Sequence, residues 1–233
     1  MPQTKILPTI TTLPPIDKCN TWQEKIQEAQ DLELKEASLF VTGLNYQDRQ
    51  ECYKLLEGTF VEKIPLVHLR NDVTIEELDY LTEKFNTEVF NTHPIRERPL
   101  MYDWSRYQDK IYIENTKYIP EREELERFGG ICLDFVHWEN ALLKEYSNYK
   151  PLSDLVQKYP IGCGHLSPLK PSIEENPESN TDYDSHYMEK LSEFDYLQKY
   201  LNYLPPFVAI EVKNSLKKQL QIKQYVESNI LDL

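Results

Sequence analysis

This chain predicts an α/β fold, a (β/α)8 TIM barrel forming a single domain over residues 1–233, and three observations predict it. Short β-branched and aromatic runs alternate with amphipathic helical stretches, and eight such strands can be counted. All five histidines sit at or just past the carboxyl end of an apolar run, and two further runs end in a glutamate. In a parallel α/β fold every strand delivers its last side chains to one face, so residues far apart in sequence converge there.

Taken in order, the first strand is placed at residues 5–10 and is the weakest, because Pro8 falls inside it and cannot donate to a ladder. A helix at 22–37, a strand at 38–44 and a helix at 47–56 follow, then Ile64-Pro-Leu-Val-His68 within a strand at 64–69. Thr74-Ile-Glu-Glu77 has capping-box spacing and opens a helix over 74–85. Val89-Phe-Asn-Thr-His93 belongs to a strand at 88–92, and an irregular loop without a helix leads from His93 to Lys110. The strand at 110–115 ends Ile111-Tyr-Ile-Glu114, and Pro120 opens a short helix over 120–127 that Gly129 and Gly130 stop. A strand at 130–136 carries Asp134 and leads to His137, followed by a long helix at 138–158. A strand at 159–165 ends in His165, a helix covers 186–203, the strand at 206–212 carries Glu211, and a last helix spans 215–226.

Composition bounds the function classes. With 233 residues, 40% of them hydrophobic and 28% charged, the chain suits one globular domain able to bury a core without staples. Its formal charge of −13 argues against holding nucleic acid by broad electrostatic attraction, although cations at a local site could still attract phosphate. No apolar run approaches the roughly 18 to 20 residues needed to cross a bilayer. Residues 1–17 hold one lysine and four prolines rather than a signal core. A cytoplasmic protein with no membrane partner is expected, and Cys19, Cys52, Cys132 and Cys163, which lack paired spacing, fit a reducing compartment.

The strand ends collect nine candidate ligands: His68, His93, Glu114, Asp134, His137, His165, Asp184, His186 and Glu211. A lone histidine near a strand end is more often a hydrogen-bonded core group. Here no histidine falls elsewhere, and Asp134-Phe-Val-His137 and Asp184-Ser-His186 pair ligand types closely. Imidazoles mixed with carboxylates suit zinc, with manganese or iron as other candidates, better than magnesium or calcium, which prefer oxygen shells. Glu114 and Glu211 each end an apolar strand facing the barrel mouth, where a carboxylate needs a cation or donor; Lys117 and Lys213 are the alternative partners.

Two loops share that face. Residues 94–108 carry Arg96, Arg98, Trp104 and Arg106, which with Arg70 form a candidate substrate set able to contact phosphate and stack on a ring. Residues 166–184, rich in Pro, Ser, Glu and Asn, have the composition of a mobile cover or an insertion. Dinucleotide, Walker and Gly-x-Ser-x-Gly patterns are lacking, and Cys163 beside His165 reads as core filler.

In the order His, His, Glu, Asp-x-x-His, His, Asp-x-His, Glu, this set resembles the endonuclease IV branch of the xylose-isomerase-like TIM barrels. Ile113-Glu-Asn-Thr116, Leu133-Asp-Phe-Val-His137, Gly164-His-Leu-Ser167 and Ser185-His-Tyr187 are similar to the related UV-damage endonucleases. The resemblance implies two or three divalent ions. One would be held by His68, His93 and Glu114; a second by Glu114, Asp134, His165 and Glu211; a third by His137, Asp184 and His186. It further implies metal-assisted in-line attack of water on a phosphodiester or phosphate ester, with damaged DNA carrying an abasic site as the substrate to expect. Sugar isomerases and epimerases of the same superfamily supply the rival expectation. There one ion sits on Glu114, Asp134, His165 and Glu211, the catalytic pair Glu114 and Glu211 exchanges protons with a sugar or sugar phosphate, and His137 contacts it. A catalytically silent, partner-binding barrel is the third possibility.

Overall fold

The computed structural model describes residues 4–13 and 21–231, so residues 1–3, 14–20, Cys19 among them, and 232–233 lie outside the described residues. In chain order the elements are β1 (Lys5–Leu7), β2 (Thr9–Thr11), α1 (Trp22–Asp31), β3 (Ser38–Phe40), α2 (Tyr46–Glu57), β4 (Leu66–His68), α3 (Ile75–Phe85), β5 (Val89–Thr92), β6 (Ile111–Glu114), α4 (Arg122–Arg127), β7 (Gly130–Asp134), α5 (Phe135–Leu143), α6 (Leu152–Lys158), β8 (Ile161–Leu166), β9 (Phe207–Ile210) and α7 (Leu216–Asn229). Every strand pairing is parallel, in the order β1-β9-β8-β7-β6-β5-β4-β3-β2. β1 and β2 flank Pro8 as the two halves of one strand, so the nine segments make an eight-position barrel whose ends meet at that proline.

Pro8 therefore breaks the first strand without removing it. Lys5 to Leu7 register with Phe207 to Ala209, while Thr9 to Thr11 register with Ser38 to Phe40. The buried amide of Gln219 on α7 covers the handover: its Oε1 accepts the Thr9 N–H at 2.6 Å and its Nε2 donates to the Thr9 carbonyl at 3.0 Å.

Side-chain alternation divides the apolar residues into two layers. Leu7, Phe40, Leu66, Cys132, Cys163, Phe207 and Ala209 fill the barrel interior with Val89 and Tyr112, while the alternate residues, such as Val67, Ile113, Leu133 and Val208, pack against the helices. A Cβ on Gly162 would overlap the Tyr112 ring, so the interior tolerates only glycine there. Gly130 has φ +130° and abuts the Pro160 carbonyl, a conformation glycine alone adopts freely.

The helices differ from expectation where local chemistry intervenes. Thr74 and Glu77 form the expected capping box on α3. The short helix starts at Arg122, after Pro120, with the Glu121 N–H donating to Glu124 Oε2 at 2.7 Å. The long helix expected over 138–158 is two: α5 already starts at Phe135, so His137 lies in its first turn, and the chain reverses at Glu145 (φ 53°) before Pro151 precedes α6. A 3-10 turn at Ser105–Lys110 occupies part of the loop expected to lack a helix. Residues 191–203 form a 3-10 stretch, and 186–190 stay irregular because the His186 N–H goes to the Glu178 carboxylate and the Met188 N–H to Asn214 Oδ1. Residues 166–184 contact both themselves and the rest of the barrel: Asn176 Nδ2 donates to the carbonyls of Asp182 and Asp184, the Leu169 N–H donates to the Glu193 carbonyl at 3.0 Å, and the Tyr183 N–H donates to Asn140 Oδ1 at 3.0 Å. Among the described residues, no helix is long and apolar enough to cross a membrane.

Candidate metal centre

Strand periodicity decides which polar residues enter the barrel mouth. Leu66, Tyr112, Cys132 and Cys163 face inward, so His68, Glu114, Asp134 and His165, two residues on, do the same one layer higher. Glu211 follows inward-facing Ala209 in the same way. The Phe40 ring forms the floor, with its centroid 5.0 Å from that of His68 and 4.8 Å from that of His165.

Among the described residues the structure draws four overlapping ligand sets together, two of them being His68, His165 and Glu211, and Glu114, Cys132 and His165. His68, His93 and Glu114 offer ligand atoms within 4.8 Å of one another, as do Glu114, Asp134, His165 and Glu211. Glu114 is common to both: Oε2 lies 3.3 Å from His68 Nε2, and Oε1 lies 3.5 Å from His165 Nδ1. His165 Nδ1 is also 3.1 Å from Glu211 Oε2 and 3.8 Å from Asp134 Oδ2, yet it is in hydrogen-bonding geometry with none of them.

Both nitrogens of His68 and Oδ2 of Asp134 are likewise buried without a hydrogen-bond partner. Buried polar atoms left unsatisfied cost about 1–3 kcal/mol each. A cation coordinated by these atoms would satisfy them together, so the donor set fits a divalent ion such as zinc, manganese or iron. The two lysines offered as alternatives do not change this fit: Lys213 Nζ pairs with Glu178 Oε1 at 2.6 Å, and the Lys117 ammonium lies over the Tyr118 ring.

Electrostatics follow the same geometry. Burial pushes the His68 imidazolium down to a pKa of about 3, leaving the ring neutral and able to act as a ligand. Burial acts to raise Glu114 and Glu211, but the neighbouring histidines outweigh it, holding Glu114 well below the carboxylate range and lowering Glu211 to about 2. Burial dominates at Asp134, raising its carboxyl to about 6. Burial disfavours protonated His165, yet Glu114 and Glu211 outweigh it and raise its pKa well above the usual value.

The trio His137, Asp184 and His186 is placed differently. His137 Nδ1 lies 2.9 Å from Asp184 Oδ2, whereas His186 turns to Glu211 Oε1 at 3.6 Å and Glu178 Oε2 at 3.8 Å. Among the described residues these three form no common ligand set.

Of the substrate set, Trp104 requires correction. It is fully buried, and its Nε1–H donates to the Val73 carbonyl at 2.9 Å, so it is core and cannot stack on a ligand. Arg96 is engaged with Glu121 and the Ile119 carbonyl, and Arg106 pairs with Asp79 on α3. Only Arg70 and Arg98 line a cavity beside His93.

Sequence reasoning missed four residues here. Asn91 Nδ2 donates to Glu114 Oε2 at 3.1 Å; alternation on β5, two positions before His93, could have flagged it. Asn115 clamps Asp134, accepting its N–H at 2.8 Å and donating to its carbonyl at 2.9 Å. Cys132 Sγ lies 3.5 Å from His165 Nε2, and Glu178 reaches His186 from a loop that sequence periodicity could not place.

Fold and site together define a TIM barrel with a buried imidazole–carboxylate cluster at its strand carboxyl ends. No family model and no curated protein matches the chain. Solved structures do match along most of it. The probable 3-DHS dehydratase AsbF of Bacillus anthracis is 14% identical over 97% of this chain and 99% of that one, with a TM-score of 0.49. A D-tagatose 3-epimerase-like protein is 16% identical over 97% and 98%, with a TM-score of 0.47. SacUVDE is 14% identical over 88% and 84%, with a TM-score of 0.43. The matches include xylose-isomerase-like barrels; at these identities and TM-scores they are likenesses of shape and decide neither family nor reaction.

Proposed function

We propose that this chain is a metal-dependent hydrolase of phosphate esters, mono- or diester, acting through two divalent cations held side by side. The observation that carries this reading is the position of Glu114, whose two oxygens face His68 in one ligand set and His165 in the other. Bound there, divalent ions would lower the pKa of a water molecule and neutralise charge on the phosphoryl oxygens. The protein's own part is orientation. Asn91 fixes the Glu114 carboxylate, Asn115 and the first turn of α5 fix Asp134, and Phe40 supports both inner histidines. Two cations rather than three are proposed because His137 is paired with Asp184 and His186 faces Glu178 and Glu211. His137, raised to about 10 against the burial that opposes it by Asp134 and Asp184, then stands protonated at the edge of the site as a hydrogen-bond donor. Cys52, Cys132 and Cys163, all free and buried, suit the cytoplasmic setting proposed with it.

A second reading is favoured by the four-residue set alone. Glu114, Asp134, His165 and Glu211 would hold one ion, with the two glutamates moving protons on a sugar or sugar phosphate. Elemental analysis of protein purified without a polyhistidine tag separates the two. A content near two, with release of nitrophenol from p-nitrophenyl phosphate or its bis ester, is expected; a content near one with ketose–aldose turnover would replace the hydrolase reading. Glu114→Gln should lose at least one ion and lower hydrolysis by about a hundredfold or more, consistent with loss of a shared ligand.

A further inference from the structure

The cavity beside His93 has a volume of about 230 Å³ and is lined by Thr42, Arg70, Asn71, His93 and Arg98, among others. We infer that it is a subsite for the terminal phosphate of a small organic phosphate, so that the substrate is a phosphomonoester rather than a nucleic-acid duplex; this rests on the hydrolase reading and narrows it.

Both arginines are positioned by the protein. Arg70 Nε lies 3.1 Å from Asp72 Oδ1, and its Nη1 donates to the Leu44 carbonyl at 3.4 Å. Asp72 is itself held at 2.9 Å by Nη1 of the fully buried Arg49 side chain, which Glu77 grips with two bonds of 2.8 and 3.0 Å. The Arg70 guanidinium is thus braced along one edge, and among the described residues its Nη2 has no protein partner.

Arg98 sits on a loop tied down on both sides. Its own N–H donates to the Pro94 carbonyl at 2.9 Å, Asn71 Nδ2 donates to the Pro99 carbonyl at 2.7 Å, and the Met101 N–H donates to the Asn71 carbonyl at 3.0 Å. Arg96 and Arg106, on the same stretch of chain, each have a carboxylate partner; the Arg98 guanidinium has none among the described residues. In a chain of formal charge −13, an unneutralised arginine and a braced one converging on a cavity single out an anion.

The anion's chemistry follows from the donors. Planar guanidinium forks match phosphate oxygens, and a phosphomonoester presents three such oxygens and a charge of about −1.5 to −2. His93 is shared between the cavity wall and the first ligand set, so a phosphate seated here would abut the proposed cations. Its hydrolysis forms one P–O bond to water and breaks the ester P–O bond, one water proton going to the departing alcohol and the other remaining on the phosphate. At about 230 Å³ the cavity falls below the roughly 300–1,000 Å³ usual for drug-sized ligands, a size suited to a small organic phosphate.

The test compares wild type, Arg98→Gln, Arg98→Lys and Arg70→Gln, each loaded with the cation found by elemental analysis and checked for an unchanged melting profile. Titration calorimetry with inorganic phosphate should show about tenfold weaker binding in both glutamine variants at unchanged metal content, with partial recovery in Arg98→Lys. The kcat/KM preference for p-nitrophenyl phosphate over its bis ester should fall by a similar factor. Phosphate affinity within twofold of wild type in both glutamine variants would overturn the subsite while two bound ions kept the hydrolase reading. Metal content below one, or near one with ketose–aldose turnover, would remove the hydrolase reading, and the same phosphate titration would still decide the subsite, because the guanidiniums need no cation. An abasic duplex oligonucleotide that displaces phosphate at lower concentration than p-nitrophenyl phosphate would also overturn it.

Discussion

Asp134 shows how one residue serves both fold and site. Its Oδ1 caps α5 by accepting the His137 N–H at 2.8 Å, while its buried Oδ2 has no hydrogen-bond partner. Asparagine caps helices as well as aspartate does, so Asp134→Asn removes the charge and keeps the cap. Burial raises this carboxyl from 3.8 to about 6, so the native state disfavours its ionisation; the penalty is absent below about pH 3.8 and complete above the folded pKa. The metal-free variant should therefore gain up to about 3 kcal/mol at about pH 7 in urea unfolding and lose metal affinity, a trade of stability for function. A less stable apo variant would contradict the assignment. His68 has the opposite pH signature. With its pKa lowered by burial from 6.5 to about 3, the unfolded chain takes up a proton that the native site refuses, so stability drains as pH falls from about 6.5 toward 3. Between about pH 7 and 4.5, metal-free wild type should lose about 2.5 kcal/mol more than His68→Asn, by the same unfolding measurement. At this scale the clustering of His68, His93, Glu114, Asp134, His165 and Glu211 was legible, because histidines and carboxylates ending apolar strands form a pattern; the burial of Trp104 was not, because an aromatic among arginines reads the same whether it faces ligand or core.

The barrel closes at its most irregular element. Pro8 offers no N–H, so the first strand cannot pair continuously, and Gln219 on α7 satisfies both backbone groups of Thr9 at the break. Gln219→Leu should destabilise the protein by about 2–4 kcal/mol in urea unfolding, because two buried backbone groups lose their partners; a loss under about 0.5 kcal/mol would show that the seam closes without them. Period-two alternation made the strands readable within a residue or two at most ends. The division of the expected 138–158 helix was visible only in Pro151, and the irregular 186–190 segment depends on Glu178 and Asn214, residues distant in sequence that remove helical donors.

Across the whole molecule, the formal charge of −13 and the buried cluster act in opposite directions on a phosphate. Two divalent ions would carry four positive charges against the three carboxylates of Glu114, Asp134 and Glu211. The site would attract anions while the remaining surface repels them, and affinity for undamaged duplex DNA at about 0.15 M salt should be immeasurably weak in a filter-binding or anisotropy assay. Because cations would bind the folded barrel and not the unfolded chain, exhaustive chelation should lower the melting temperature. At a free cation concentration about a hundredfold above Kd the coupling is about 2.7 kcal/mol for each bound ion, or about 5–10 °C per ion for a chain of this size. An unchanged midpoint on chelation, with metal demonstrably removed, would show that the cluster is stable without ions.

By itself the sequence determined the alternation of strands and helices and the chemical types gathered at the strand ends, because both follow from local periodicity and from the common direction of parallel strands. Tertiary structure decided which of those side chains meet. Whether His186 faces His137 or Glu211, and whether Arg98 or Arg106 is left without a carboxylate, depends on the paths of loops and on partners distant in sequence, which no periodicity encodes.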